Sequence, residues 1–272
     1  MIAPEEGETP MLYQVTDWDD AYANSPHIAN AAAILEKLRT SSDAFRAAHD
    51  PRPLGRGRIY LPDAPARGLA VFIHGGYWKE PFPDLWSGLA AGAFAQGWAV
   101  AMPSYELAPH ARISAMTAEV AAAITEAATL TEGPIALTGH SAGGHLAARM
   151  VCDDGTLPDE VFRRVTSCVP ISPISDLRAM MRTKMNETLG IDTEEALRES
   201  PALLPPRPDV PVTTWVGGSE RPEFIRQARL LADVWAGLGA ATDCVVEPGC
   251  NHFTILDGLT RPDSPLMKRL LG

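Results

Sequence analysis

Residues Gly139-His140-Ser141-Ala142-Gly143-Gly144 follow an apolar run, Ile135 to Thr138, and precede a helical stretch, His145 to Val151. GxSxG between a strand and a helix is a nucleophile elbow: the serine sits in a strained turn, and glycines on either side let the chain close tightly. The turn also sets the Ser141 hydroxyl beside a helix N-terminus, where the Ala142 amide faces developing negative charge. Ser141 is therefore the expected nucleophile, and a serine needs a base and an oxyanion site to attack a carbonyl. Upstream, the run Leu69 to Ile73 leads into His74-Gly75-Gly76-Tyr77-Trp78. This glycine-rich turn lets the backbone approach closely, and the amides of Gly76 and Tyr77, with that of Ala142, are expected to form the oxyanion hole. His74 reads as an anchor of the loop rather than as the base.

In a serine hydrolase built on a parallel sheet, the acid and then the histidine follow the serine in chain order, each beyond a later strand. The run Val212 to Val216 is followed by Gly217-Gly218-Ser219-Glu220, and Cys244 to Val246 by Glu247-Pro248-Gly249-Cys250-Asn251-His252. Of the seven histidines only His252 comes after the final run. The expected catalytic set is thus Ser141, Glu220 and His252, with Glu223 and Asp243 as alternatives for the acid.

Positioning these side chains requires a sheet. Short apolar runs at 69–73, 98–102, 135–138, 168–171, 212–216 and 244–246 alternate with longer amphipathic stretches. Continuous apolar runs mark strands buried on both faces, and this alternation predicts an α/β fold with a mostly parallel central sheet and flanking helices. No repeat or linker divides the chain, so residues 1–272 read as one domain. An N-terminal helical segment of about 1–50 is expected, with helical spacing from His27 to Ala48 and a proline-broken turn at Asp50-Pro51-Arg52-Pro53. Residues of about 172–210 exceed an ordinary crossover and are expected to form a small cap.

The composition narrows the partners. The 272 residues carry 23 Lys plus Arg against 34 Asp plus Glu, a net charge of −11, and no basic cluster suited to nucleic acid. No stretch is apolar enough to span a bilayer, and the N-terminus lacks the features of a secretory signal, so cytoplasmic residence is expected. Cys152, Cys168, Cys244 and Cys250 form no CxxC pair and read as reduced core thiols. With no HExxH or clustered His/Cys set, no metal or other cofactor is expected. The expected partner is a small-molecule substrate, without nucleic acid or membrane, and a homodimer is compatible with the sequence.

Together these residues resemble the α/β-hydrolase superfamily over nearly the whole chain. His74-Gly75-Gly76-Tyr77-Trp78 is similar to the HGGxW signature of its kynurenine formamidase (arylformamidase) branch, and Gly218 to Gln227 to that branch's acid loop with its Glu-Phe and Arg-Gln pairs. In this register the resemblance carries nucleophile, acid and base onto Ser141, Glu220 and His252. It departs in having Glu where many relatives have Asp. It implies a serine hydrolase that cleaves an aryl formamide such as N-formylkynurenine, or an ester, through an acyl-enzyme. The alternative is a carboxylesterase for short-chain or aryl esters without a formamidase role. Trp78, Tyr105, Met181 and Met185 are the candidate pocket residues, since aromatic rings stack and methionine adapts. Trp18, Tyr22 and Asn24 are open as further neighbours of the site.

Overall fold

A computed structural model describes residues 14–80 and 83–272. The first 13 residues of the expected N-terminal segment lie outside the described residues. Among the described residues, eight strands form one sheet: β1 (Arg52–Leu54), β2 (Gly57–Tyr60), β3 (Leu69–Ile73), β4 (Ala99–Met102), β5 (Ile135–His140), β6 (Val165–Ile171), β7 (Val212–Gly217) and β8 (Thr242–Glu247). Their spatial order is β1-β2-β4-β3-β5-β6-β7-β8. The six strands from β3 to β8 run parallel, and β1 and β2 add an antiparallel edge. That edge corrects the sequence reading, which placed only a turn there: Pro53 lacks an N–H, yet an edge strand tolerates it.

The continuous apolar runs arise because alternate residues serve opposite faces of the sheet. Leu69, Val71 and Ile73 of β3 point into one core, whereas Ala70 and Phe72 point into the other. Among the described residues, ten α-helices accompany the sheet. Before it come α1 (Trp18–Tyr22) and α2 (Ala31–Ala48); between β3 and β5 lie α3 (Ala91–Ala95) and α4 (Ile113–Thr129); α5 (Ala142–Arg149) and α6 (Asp159–Phe162) follow β5. Helices α7 (Asn186–Leu189) and α8 (Thr193–Glu199) lie between β6 and β7, and α9 (Pro222–Gly237) and α10 (Pro265–Leu271) follow β7 and β8. Residues from α4, α5 and α9 fill the first core, and residues from α3 and α10 the second. Among the described residues, no helix is long and apolar enough to cross a membrane. All four cysteines are free; Cys152 and Cys168 are buried, and Cys244 and Cys250 are partly exposed.

Helix α2 buries only Ser42 among its residues. The Ser42 hydroxyl donates to the Leu85 carbonyl at 2.7 Å and accepts the Gly88 N–H at 2.9 Å. Arg46 adds a bond to the Asp84 carbonyl. The helix is thereby pinned to the 3-10 segment Pro83–Ala90.

Candidate active site

β5 ends in His140, and Ser141 follows with φ 56° and ψ −116°, a left-handed φ that a residue with a side chain rarely adopts. Two glycines make this turn feasible. A Cβ on Gly139 would stand 2.2 Å from the Gly143 carbonyl oxygen, and one on Gly143 would stand 2.0 Å from that of Ile73. The strained serine at the start of α5 is the elbow expected from the sequence, and the amide of Ala142, first in the helix, has no intrahelical acceptor. Opposite, Tyr77 and Trp78 also take left-handed angles, φ 49° and 55°. Among the described residues, the amides of Gly76 and Tyr77 donate to no backbone carbonyl. His74 is buried, donates through Nδ1 to the Gly75 carbonyl at 2.8 Å and stacks on Tyr105 at 4.7 Å, so it anchors the turn as expected. Burial pushes its pKa down.

Three carboxylates competed in the sequence for contact with His252, and Glu220 is the one that makes it. His252 Nδ1 donates to Glu220 Oε2 at 2.6 Å, with both side chains buried. The carboxylate can only accept, which leaves Nε2 of the neutral ring as the proton acceptor. Glu223 is occupied elsewhere: it takes the Tyr22 hydroxyl at 2.8 Å and two Arg226 nitrogens at 2.7 Å each. Asp243 pairs with Arg269 at 3.1 Å. The Glu-Phe and Arg-Gln pairs of this acid loop also have physical roles. The Phe224 ring packs 4.4 Å from that of His252, and Gln227 accepts the amides of Ser175 and Asp176 at 2.9 and 2.8 Å.

Ser141 and His252 line the same cleft of about 630 Å³, enough for one small molecule. No hydrogen bond joins the Ser141 hydroxyl to the imidazole in this resting arrangement; such contacts often tighten only when substrate binds. The other lining residues include Gly76, Tyr77, Trp86, His140 and Phe253, with Asn24, Ala32, Leu35, Glu36, Arg39, Asp43 and Arg46 from the N-terminal segment and α2. The Tyr77 hydroxyl donates to the Tyr22 carbonyl at 2.6 Å and accepts from Asn24 at 3.0 Å; burial pushes its pKa up to about 12. Of this wall, sequence reasoning left Asn24 open as a neighbour of the site and missed the α2 residues.

The candidate pocket residues need correction. Trp78 is fully buried, its ring edge-to-face with His145 at 5.2 Å. Tyr105 is buried against His74 and donates to its carbonyl at 3.1 Å. Met181 and Met185 pack against the first core. None of the four lines the cleft. No residue of the 172–210 region lines the cleft, and its helix α8 bonds elsewhere: Glu195 accepts from Arg112 and Ser114, and Glu199 from Thr117 and Arg149. Nor do Trp18 and Tyr22 line the cleft.

A family model described as alpha/beta hydrolase fold matches residues 70–256. A kynurenine formamidase of Danio rerio is 31% identical over 224 residues, covering 78% of this chain and 75% of the relative. One from Salmo salar is 28% identical, covering 80% and 79%. Among solved structures, a candidate thioesterase from Silicibacter sp. TM1040 is 43% identical with a TM-score of 0.87, over 93% of this chain and 98% of the other. Esterase B of Lactobacillus rhamnosis, 17% identical with a TM-score of 0.63 over 89% and 93% of the two chains, shares the fold.

Proposed function

Because the chain belongs to the α/β-hydrolase superfamily, in its kynurenine-formamidase-like branch, we propose that it is a serine hydrolase of small-molecule amides or esters, with an aryl formamide such as N-formylkynurenine as its leading substrate. The observation that carries this reading is the 2.6 Å contact between His252 and Glu220 on a cleft that also holds the strained Ser141.

In this reading, His252 Nε2 takes the Ser141 proton as the hydroxyl oxygen bonds to the substrate carbonyl carbon, and Glu220 stabilises the imidazolium. The oxyanion gathers at the amides of Gly76, Tyr77 and Ala142. Loss of one such donor in other hydrolases costs about 2.7 to 4 kcal/mol, so the HGGYW turn contributes substantially beside the base. Collapse breaks the carbonyl–nitrogen or carbonyl–oxygen bond, and the leaving amine or alcohol receives the proton from His252. Water then adds to the acyl-serine by the same route and releases the acid. Cytoplasmic residence is supported by the four free thiols.

The apolar wall of Ala32, Leu35, Leu85, Trp86 and Phe253 also suits short or aryl esters, which keeps a carboxylesterase as the second reading. Thioesters on a phosphate-rich carrier fit less well. Glu36, Asp43, Glu80 and Asp84 outnumber Arg39 and Arg46 around the cleft, and repel a polyanion.

The test compares kcat/KM for N-formylkynurenine, p-nitrophenyl acetate, p-nitrophenyl butyrate and a coenzyme A thioester. Preference for the formamide supports the first reading. Its complete inertness beside rapid ester turnover leaves the carboxylesterase, and inertness of all four removes both.

A further inference from the structure

We propose that Ser172 is a positioning residue for the reaction: its hydroxyl fixes the Glu220 carboxylate so that the second oxygen holds the His252 ring. The inference rests on the reading that Glu220 and His252 serve Ser141.

Ser172 is the first residue beyond β6 and is fully buried. Its hydroxyl donates to Glu220 Oε1 at 2.6 Å, within the range of a short, charge-assisted O–H···O⁻ bond. The Gly217 N–H donates to the same oxygen at 2.8 Å. Oε2 is left for His252 Nδ1 at 2.6 Å. Three donors, from just beyond β6, the end of β7 and the loop after β8, thus divide the two oxygens, and together they define the plane of the carboxylate.

The backbone shows what this arrangement requires. Ser172 has φ 47°, a left-handed conformation in which glycine would be unstrained. It is held there by its own N–H, which donates to the Trp215 carbonyl at 2.7 Å. One residue earlier, the Ile171 carbonyl accepts the Ser141 N–H at 2.9 Å, so the end of β6 touches both the nucleophile's turn and the acid. A serine kept in a glycine-like conformation while its hydroxyl meets a buried carboxylate is strain retained for a side-chain contact. Glutamate gives a reason for it. Its side chain has three torsions to fix, and the Gly217 amide alone leaves the carboxylate free to swing about one bond.

The test is a mutant cycle measured by steady-state kinetics on the substrate the wild type hydrolyses fastest. Ser172→Ala and Ser172→Gly should each lower kcat about 10-fold, the scale of losing a hydrogen bond to a charged group, with KM changed less than twofold. In a Glu220→Gln background the same replacements should lower kcat less than twofold further, because there the residue has no carboxylate to act through. Ser172→Gly relieves the backbone strain, so it should fold even if Ser172→Ala does not. Full kcat in the glycine variant, or losses that multiply undiminished in the Glu220→Gln background, would overturn this inference alone. A wild type inert toward every ester and formamide would overturn it together with the hydrolase reading.

Discussion

The Nε2–H of His140 donates to the backbone carbonyl of His252 at 2.9 Å, and the two rings lie 4.4 Å apart. The residue directly before Ser141 therefore holds the loop that carries His252. Burial, and next the neighbouring His252, keep the His140 pKa well below its ordinary value, so its ring stays neutral and the donor is permanent near neutral pH. His140→Ala should lower kcat about 10-fold by releasing the His252 loop, and His140→Gln, which retains a donor, should recover part of that loss. Equal and full activity of both variants would show that the contact contributes nothing to turnover.

Glu220 and Glu223 separate cleanly by mutation. Glu220→Gln removes the charge that faces the imidazole and should reduce kcat by about 10⁴-fold, the scale seen when a triad acid becomes an amide. Glu223→Gln should leave kcat within about 10-fold but lower stability by roughly 1 to 3 kcal/mol, the scale for disturbing a buried hydrogen-bonded group, since Tyr22 loses its charged acceptor while Arg226 is partly exposed. Kinetics and urea unfolding on the same two preparations check both halves; the reverse pattern would move the acid to Glu223.

Acid should weaken the fold before carboxylates titrate. His145 is buried and donates to the Glu199 carbonyl at 2.6 Å; burial, above all, lowers its pKa from 6.5 to about 4. The unfolded chain binds the proton first, so this contribution is complete above about pH 6.5 and is lost as pH falls toward 4. For His145 alone the loss amounts to about 3 kcal/mol, and buried His74 and His140 act in the same direction. Urea midpoints should fall between pH 7 and 4.5, with a shallower slope in His145→Gln. An unchanged slope in that variant would contradict the assignment.

Substrate size should be read by α2. Leu35→Trp narrows the cleft and is expected to raise KM for p-nitrophenyl butyrate about 10-fold, with less effect on the acetate. Met181→Ala and Met185→Ala should leave both KM values alone while lowering the melting temperature, because these side chains pack on the core. A large KM change from either methionine would restore the cap as the pocket wall.

The strands and the order of the reactive side chains were legible in the sequence because both follow from burial and chain direction. Val71 and Phe72 must each find a core, one on either face, and so the run is continuously apolar. Glu220 and His252 stand where successive parallel strands end. The cleft wall was not legible: the periodicity of α2 shows that Leu35 is on an apolar face, not that this face meets a hollow rather than a core. The methionines misled for the same reason. Ser172 gave no signal, since a left-handed backbone is announced by glycine, and here the position is a serine.

Helix α2 is held by Ser42 and Arg46 on the 3-10 segment and by Leu38 and Phe45 against the second core, while Ser141, Glu220 and His252 stand beyond the ends of strands. Under the hydrolase reading proposed above, α2 shapes the space for the guest while other stretches of polypeptide carry the chemistry. Exchange of this one helix between relatives offers a route to new preferences that leaves the reactive apparatus intact.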